Sequence, residues 1–358
     1  MEYYESLLND AAKQVLHRAQ LIEEPFGVAV AFLEHPHIFA QAKMLVEAGA
    51  TLTWVYDPDP AKVAQFCELV PGAKVATSLE QILEDSNTRL VAAAGVPCER
   101  AAVGERVMRA GKDYFVDKCP FTTLEQAANL RKVCAETGRK YAVFYSERVQ
   151  TEAGAMVDVL INAGVLGGIA HMAIQGPHKL GVTPRPDWFF NKAQTGGILT
   201  DIASHQCDQF LHYGKASSGQ VLYASTDNRF HPEHVGWEDF GDAVFQLDNG
   251  IRCYSRVDWL TPMGVRAFGD GRLFIVGEKA SIEVRKYVDL ARDAVGDRIF
   301  IADAEGEHEL QVAGRFGFPY FAQLIDDCIA GSEHAMTQAH AFRAGELAIE
   351  AQILADNS

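Results

Sequence analysis

In the first 145 residues, short apolar runs alternate with segments that have the pattern of amphipathic helices. This alternation constrains the fold more than any other feature of the sequence. Phe26–Leu33 is a continuous apolar run of the kind that a parallel strand buried on both faces requires. Later runs predict further strands at Leu52–Tyr56, up to Val75, at Leu90–Ala94, at Tyr114–Val116 and at Tyr141–Tyr145, with helices near 38–48, 79–83, 98–110 and 123–137. Strands that alternate with helices in this way predict a doubly wound parallel sheet.

A doubly wound sheet binds its ligands beyond the carboxyl ends of the strands. The turns after Leu33, Tyr56, Ala94 and Val116 should therefore line one crevice. This prediction of a nucleotide-binding fold needs no motif.

The pattern changes after about residue 150. A helix at 152–163 and a strand at Ile169–Gln175 come first, and strand-like runs then follow at 220–226, 242–247, 251–259, 272–276, 281–285 and 299–302. Asp248-Asn249-Gly250 is a strong hairpin signal between two of these runs. Strands joined by short turns indicate a large, mostly antiparallel sheet. The predicted divisions are an extra N-terminal helix (1–24), a dinucleotide-binding domain (25–149), an α+β domain for substrate and oligomerisation (150–335) and a C-terminal helix (336–358).

Charge and cysteine content narrow the class of partner. The chain carries 32 basic and 48 acidic residues, a formal net charge of −16, which disfavours nucleic acid and anionic membranes. Charged residues throughout the first 25 positions exclude a signal-peptide core there, and no apolar run approaches the length of a membrane span. Seven scattered cysteines without a C-x-x-C pair indicate a reducing compartment, so we expect a cytoplasmic protein.

The stretch from Gly196 to His212 is the richest in chemistry. After Gly196-Gly197, which would let a ligand approach the backbone closely, the sequence predicts a helix. One face of that helix is apolar, and another carries Asp201, His205, Asp208 and His212 at spacings of four, three and four. A carboxylate one turn from an imidazole can fix its orientation and tune its proton affinity. The alternative is an ordinary helix with a solvated stripe.

GGILTDIASHQCD resembles the G-G-x-x-x-D-x-x-x-H-x-x-D signature of the Gfo/Idh/MocA oxidoreductases. These enzymes depend on a nicotinamide cofactor and act mainly on sugars and cyclitols. The resemblance implies an α/β architecture, with an N-terminal Rossmann-type parallel sheet and a C-terminal α+β domain built on an open antiparallel sheet. It extends over nearly the whole chain, apart from residues 1–24.

The first strand-to-helix turn departs from the family pattern. A G-x-G-x-x-G fingerprint is expected where a pyrophosphate sits on a helix N-terminus, but Ala31–Ile38 contains no glycine. Backbone N–H groups of residues 35–38 could still hold phosphate, with His35 or His37 donating a hydrogen bond. The other interpretation is that cofactor binding is weakened or lost. The H-x-H pair lacks a third ligand in the sequence, so we predict no metal.

Asp57 follows the second predicted strand, about two dozen residues after the first turn, where an acidic residue binds the ribose hydroxyls and repels a 2′-phosphate. We therefore favour NAD over NADP, although Asp57 could simply cap the next helix. The predicted cofactor contacts are Leu33, His35, His37, Ile38, Asp57, Gly95, Pro97, Asp117 and Lys118.

Lys118 lies in Asp117-Lys118-Cys119-Pro120, where the family carries E-K-P, and the resemblance therefore implies that it is the catalytic lysine. A cation at this point stabilises a developing alkoxide. Cys119 replaces the family's proline, and because Lys-Pro bonds adopt the cis form far more easily than Lys-Cys bonds, the backbone is expected to differ. The alternative is an exposed loop lysine.

The segment between the strand ending at Gln175 and the Asp201/His205 helix offers polar groups and a large aromatic residue in a proline-rich loop. The predicted substrate contacts are His178, Arg185 and Trp188, together with Lys118 and His205. Alternatively, the aromatic residues of this loop are buried and its charges are solvated. Ser146-Glu147-Arg148 leads into the second domain, and either charged residue could lie near the nicotinamide, or Arg148 could be a structural ion-pair partner.

These features predict an NAD-dependent oxidoreductase that transfers a hydride between nicotinamide and a carbinol or carbonyl carbon of a sugar, polyol or cyclitol. His205 would exchange the hydroxyl proton, Lys118 would polarise the same oxygen, and Asp201 would orient His205. We also expect a homodimer or homotetramer formed through the C-terminal sheet. Two alternatives remain: a redox-assisted lyase or glycosidase with bound NAD, and a catalytically silent sensor of NAD or sugar.

Overall fold

The computed structural model describes residues 1–18, 25–182 and 184–358 and divides the chain into two compact units. The parallel-sheet unit comprises His17–Phe144 and Pro319–Phe342. The mixed-sheet unit comprises Met1–Leu16, Tyr145–Phe318 and Arg343–Ser358. Near its end the chain therefore returns to the parallel-sheet unit and then to the mixed-sheet unit. The sequence had predicted a division into consecutive segments. The end of the predicted N-terminal helix, from residue 19, lies outside the described residues.

Helices and strands alternate as the sequence predicted in the first half of the chain. The α-helices are α1 Glu2–Arg18, α2 His37–Glu47, α3 Pro60–Leu69, α4 Leu79–Glu84, α5 Arg100–Arg109, α6 Leu124–Thr137, α7 Ser146–Val149, α8 Glu152–Asn162, α9 Lys192–Thr195, α10 Ser204–Tyr213, α11 Pro319–Ala330 and α12 Gln338–Asp356. The strands are β1 Phe26–Ala31, β2 Ala50–Tyr56, β3 Lys74–Val75, β4 Leu90–Ala93, β5 Asp113–Asp117, β6 Tyr141–Phe144, β7 Ile169–Pro177, β8 Gly219–Asp227, β9 Phe240–Leu247, β10 Arg252–Asp258, β11 Arg272–Gly277, β12 Ser281–Arg285, β13 Arg298–Asp303 and β14 Gly306–Gln311.

The parallel-sheet unit contains a six-stranded sheet in the order β3-β2-β1-β4-β5-β6. Every neighbouring pair is parallel, which confirms the predicted doubly wound, Rossmann-like fold. β1, β4, β5 and β6 are buried along their whole length, and this explains the apolar runs that predicted them, although β5 begins and ends with an aspartate. The order reverses between β1 and β4, the point at which such sheets bind ligands.

β1 ends two residues before the predicted end of its apolar run. Phe32 adopts a positive φ of 59° and turns the chain out of the strand. Its N–H donates to the carbonyl of Tyr56 at 2.9 Å, and its carbonyl accepts from Ala94 at 3.1 Å. A non-glycine residue therefore holds the left-handed conformation that glycine adopts more readily in such a turn.

The mixed-sheet unit contains, within the described residues, an eight-stranded sheet in the order β14-β13-β12-β11-β7-β10-β9-β8. All neighbours are antiparallel except β7 and β10. β9 and β10 form the hairpin predicted from Asp248–Gly250. The sequence did not predict the edge strand β14, because Gly306–Gln311 contains one apolar residue and shows no alternation.

The Asp201/His205 helix begins with a π-helical turn, Leu199–Ala203, that continues into α10. Its predicted apolar residues are buried, but so is much of the face that carries charge: His205 is 1% exposed and Asp208 is fully buried. A solvated stripe is therefore the wrong interpretation for the centre of this helix. Among the helices of the described residues, none is both long and apolar enough to span a membrane.

Candidate cofactor and substrate residues

The turns that follow β1, β2, β4 and β5 come together at one edge of the parallel sheet, as predicted. The N–H of Leu33 donates to Oδ2 of Asp57 at 2.7 Å, and the N–H of His35 donates to the carbonyl of Ala94 at 2.9 Å. Nδ1 of His37 lies 2.8 Å from Oδ1 of Asp117. Predicted cofactor residues on four strands therefore share one region of this unit.

The backbone of the glycine-free turn is engaged within the protein. Besides the bond from His35, the N–H of His37 lies 3.3 Å from Nδ1 of His35, and the N–H of Ile38 donates to the carbonyl of His35 at 3.1 Å. The geometry therefore does not support the predicted phosphate cradle formed by the N–H groups of residues 35–38. The polar side chains of the turn are the remaining contacts that it can offer.

Asp117 contacts both His35 and His37, and the sequence could not identify this shared partner. Its carboxylate lies 3.1 Å from Nδ1 of His35, 2.8 Å from Nδ1 of His37 and 3.2 Å from the guanidinium of Arg100. Burial alone would raise the pKa of Asp117, but His37, His35 and Arg100 outweigh it and hold that pKa well below its usual range. Desolvation, with a contribution from His37, lowers the pKa of His35 to about 3. The two histidines and Asp117 have the spacing of a cation site, but Arg100 already supplies a positive charge to the carboxylate.

Arg100 organises the backbone around Lys118. It is 1% exposed and donates to the carbonyls of Gly95 at 2.7 Å and Cys119 at 2.9 Å, and also to those of Asp117 and Lys118. The peptide bond between Lys118 and Cys119 is cis. Lys118 itself is 3% exposed, so the interpretation as an exposed loop lysine is wrong. The sequence assigned no role to Arg100, because nothing in its own segment marks it as a binding group.

Asp57 directly follows β2 and is a buried carboxylate. Its Oδ2 holds the N–H of Leu33, and its Oδ1 accepts from the N–H of Asp59 at 2.8 Å. Asp59, and not Asp57, caps α3 by accepting from Ala61. The residues present fit a dinucleotide in the strand order and in the acid after β2, and they differ from the fingerprint in the turn after β1. In the turn after β4, Pro97 begins a short 3₁₀ helix, Pro97–Glu99.

The mixed-sheet unit contains a buried ion pair beside His205. Glu147 and Lys286 are 4% and 2% exposed, and their charged atoms lie 2.9 Å apart. The same carboxylate accepts from Gln206 at 3.1 Å. Burial alone would raise the pKa of Glu147, but Lys286, His205 and His178 lower it to about 2. The ring of His205 also faces Tyr145, with centroids 6.4 Å apart.

The other polar members of the predicted helix face have separate partners. Arg148 pairs with Asp208 through two bonds of 2.7 and 2.8 Å, which confirms the structural interpretation of Arg148. His212 lies 2.8 Å from Asp158 on α8. The four residues at helical spacing therefore serve at least two purposes, because Asp208 anchors α10 to α7 while His205 lies beside the Glu147 cluster.

The loop after β7 combines cations with aromatic rings. The guanidinium of Arg185 lies 4.7 Å from the ring centre of Phe189 and 5.0 Å from that of Trp259, and it donates to the carbonyls of Lys179 and Leu180. The pKa of Arg185 lies below its usual value, because burial lowers it more than the negative charge of Asp201 raises it.

His178 packs against Trp259 at 5.2 Å between ring centres, and Nδ1 of His178 lies 2.9 Å from the carbonyl oxygen of Gly176. Trp188 is half-buried, while its neighbour Phe189 is buried, so the loop is neither wholly solvated nor wholly packed.

A small cavity lies next to this loop, lined by Phe189, Lys192, Thr195, Gly197, Ile198, Asp201, Trp237, Glu238 and Trp259. Gly197 has a φ of +91°, and a Cβ there would collide with the side chain of Gln352. Gly197 therefore allows the side chain of Gln352 on α12 to pack closely against the backbone, whereas the sequence suggested that a ligand would do so. Asp201 lies in the cavity wall.

Two family models match the chain. Residues 27–145 match the oxidoreductase family with an NAD-binding Rossmann fold, and residues 155–283 match the Gfo/Idh/MocA C-terminal domain. A solved oxidoreductase-family protein from Erwinia carotovora atroseptica is 40% identical, with a TM-score of 0.89, over 92% of this chain and 98% of that protein. The chain belongs to the Gfo/Idh/MocA oxidoreductase family.

More distant relatives of this Gfo/Idh/MocA protein have named substrates. A levoglucosan dehydrogenase solved with NADH and levoglucosan shares the fold, with a TM-score of 0.79, 14% identity and coverage of 93% of this chain and 98% of that one. D-xylose dehydrogenase from Paenarthrobacter nicotinovorans is 26% identical over 190 residues, which are 51% of this chain and 46% of that enzyme, so the match spans about half of the curated relative. The predictions of an oxidoreductase and of an NAD-binding fold are confirmed at the level of the family.

Proposed function

We propose that this Gfo/Idh/MocA protein is an NAD-dependent dehydrogenase that oxidises a carbinol carbon of a sugar, polyol or cyclitol, or reduces the corresponding carbonyl. The observation that carries the proposal is the buried imidazole of His205 near the buried Glu147–Lys286 pair, in a chain whose other unit has the strand order of a dinucleotide-binding sheet. The sugar dehydrogenases among its relatives support the substrate class.

His205 takes the proton of the substrate hydroxyl in oxidation and returns it in reduction. Lys118, held on a backbone that Arg100 braces, stabilises negative charge on the same oxygen. Asp201 orients His205, as the family signature implies. Nicotinamide, when bound, accepts or donates the hydride.

Asp57 binds the adenosine ribose of the cofactor and disfavours a 2′-phosphate, so NAD is preferred to NADP. His37 replaces the glycine fingerprint by contacting the pyrophosphate through its ring, since the adjacent N–H groups are engaged. His35, which is neutral and directs Nδ1 at Asp117, shapes the turn at the cofactor site. The backbone at Leu33, Ile38, Gly95, Pro97 and Asp117 shapes the remainder of the cofactor site.

His178, Arg185 and Trp188 bind the substrate. Arg185 and His178 donate to hydroxyl groups, and Trp188 offers a flat apolar surface to the C–H face of a ring. We also propose that the open sheet of the mixed-sheet unit forms the interface of a homodimer or homotetramer, which sedimentation of the purified chain would test.

Titration of the purified protein with NAD, NADH, NADP and NADPH, followed by intrinsic fluorescence, tests cofactor preference, and we expect NAD and NADH to bind at least about tenfold more tightly. A panel of sugars and polyols with NAD, including D-xylose and levoglucosan, is then followed at the NADH absorbance band. Substrate consumption without accumulation of NADH would indicate a redox-assisted lyase or glycosidase instead. Binding of cofactor and sugar without turnover would indicate a sensor.

A further inference from the structure

Glu147 is bound by two glutamine side chains of the helix that carries His205, one and four residues after that histidine. Its Oε2 accepts from Gln206 at 3.1 Å and lies 3.5 Å from Nε2 of Gln209. The same nitrogen of Gln209 donates to the carbonyl of His205 at 2.9 Å. The carboxylate is therefore connected to the backbone of His205 through one amide group.

The end of β7 completes the surroundings of this carboxylate. A Cβ on Gly176 would lie 2.6 Å from Nε2 of Gln206 and 3.4 Å from Oε1 of Glu147, so the missing side chain makes room for the cluster. The carbonyl of Gly176 lies 2.9 Å from Nδ1 of His178. One buried carboxylate thus lies among segments that carry two of the predicted substrate-contacting histidines.

Most other charges around α10 are paired with groups outside this cluster. Arg148 is neutralised by Asp208, Asp158 on α8 lies against His212, and Asp258 at the end of β10 lies 3.2 Å from Arg256. Asp201 on the preceding turn acts on Arg185, and Tyr287, beside Lys286, has a pKa raised by burial and by Glu147. Lys286, His205 and His178 all act on Glu147 and lower its pKa.

We propose that Glu147 is a positioning residue that sets the orientation and proton affinity of His205, with Lys286 holding the carboxylate ionised. This inference rests on the proposed role of His205 as the acid–base group. A buried carboxylate stabilises the imidazolium form, because the Coulomb attraction between the two is weakly screened away from water. Lys286 keeps that carboxylate ionised across the working pH range. The family signature implies that Asp201 orients His205. This geometry assigns control of the proton affinity of His205 to Glu147, which lies on α7.

The test measures the pKa of His205 directly, by NMR titration of protein labelled with ¹³C at histidine, with His205→Gln used to assign the resonance. Glu147→Gln removes the negative charge at nearly constant volume, and we expect the pKa of His205 to fall by about one unit. The double variant Glu147→Gln/Lys286→Met removes both members of the ion pair, and we expect it to fold and to show a smaller fall. Glu147→Asp retains the charge and should restore most of the wild-type value.

The pH profile gives a second readout. In the oxidation direction His205 must be neutral, so the acidic limb of kcat/KM should move to lower pH by the same amount in Glu147→Gln. Glu283→Gln is the matched control, because Glu283 accepts from Arg272 and Arg285 on the sheet of the same unit. It should leave the pKa of His205 unchanged.

A pKa of His205 that stays within about 0.2 units of wild type in Glu147→Gln, or that moves only in Asp201→Asn, would overturn the proposal. Because the NMR titration needs no turnover, failure of the dehydrogenase assay alone would count against the proposed function and not against this coupling. Normal turnover with an unmoved pKa would count against the coupling alone.

Discussion

In each unit of this protein, a buried carboxylate is the centre of a cluster with one cation and two histidines. In the parallel-sheet unit Asp117 has Arg100, His35 and His37, whose charged or ring atoms all lie within 3.2 Å of it. In the mixed-sheet unit Glu147 contacts Lys286 and the amides of α10 and acts on its two histidines electrostatically. Similar groups are therefore arranged for different purposes.

The difference follows from what each carboxylate is bonded to. The partners of Asp117 are themselves bonded to the backbone of the turns after β1, β4 and β5, so that cluster fixes the shape of a loop that lacks its glycines. The partners of Glu147 belong to the helix of a proposed acid–base residue, so that cluster controls a proton. Four predictions would sharpen or break this distinction.

Arg100→Met should have the largest effect. It leaves the Asp117 carboxylate without its guanidinium and removes donors from four carbonyls in a buried region, so we expect a loss of about 3–5 kcal/mol in the free energy of unfolding. Urea denaturation followed by circular dichroism measures it. Arg106→Met is the matched control, because its ion pair with Glu80 is exposed and screened by solvent, so its loss should change the stability much less. Equal effects of the two variants would show that Arg100 does not organise the turn.

His205→Ala and Lys118→Met should each reduce kcat by at least about a hundredfold, because each removes a group that acts on the reacting oxygen. Steady-state assays with the substrate found by the panel measure this reduction. The Glu283→Gln variant should keep its activity. Near-normal turnover in either test variant would remove that residue from the mechanism.

His37→Gln should weaken NADH binding about tenfold, with a smaller effect on the unfolding free energy than Arg100→Met, because the imidazole contributes one hydrogen bond to a charged group. Fluorescence titration with NADH measures the dissociation constant. His212→Gln, which changes a half-exposed histidine of the mixed-sheet unit, is the control. Unchanged affinity in His37→Gln would mean that the turn contacts the cofactor by other groups.

The smallest expected effect is a pH dependence of stability that comes from His35. Its pKa of about 3 in the folded protein lies below the unfolded value of about 6.5, so the unfolded chain binds the extra proton between these values. His35 alone should therefore lower the stability by about 2 kcal/mol as the pH is lowered from 7 to 5. Asp297, whose pKa burial raises to about 6, offsets part of this fall, so the net fall is about 1 kcal/mol. His35→Gln should remove the His35 contribution. The lowered pKa of Glu147 affects stability only below its unfolded value of about 4.3. Because Asp297 also titrates between pH 7 and 5, the histidine is isolated by comparing the change in urea midpoint between these pH values in wild type and in His35→Gln.

The sequence predicted most of the secondary structure, because burial on two faces, or on alternating positions, leaves a local pattern. It missed β14, whose polar edge position leaves no such pattern, and it extended β1 through Phe32, whose turn depends on bonds to Tyr56 and Ala94. It identified His35, His37 and Asp117 as candidates, but it could not show that the three meet. It also gave Glu147 no distinct role, because Lys286 lies 139 residues away.

By itself, the sequence determined the doubly wound sheet, the antiparallel domain and the family signature around His205, because periodicity, turn residues and motif spacing are properties of neighbouring positions. Only the tertiary structure decided which charge faces which. In the folded chain, two histidines of one turn contact Asp117, and Asp208 pairs with Arg148. Glu147 pairs with Lys286 and contacts α10. The reason is physical: the proton affinity of a buried group is set by desolvation and by charges a few ångströms away, and these distances exist only once the chain has folded.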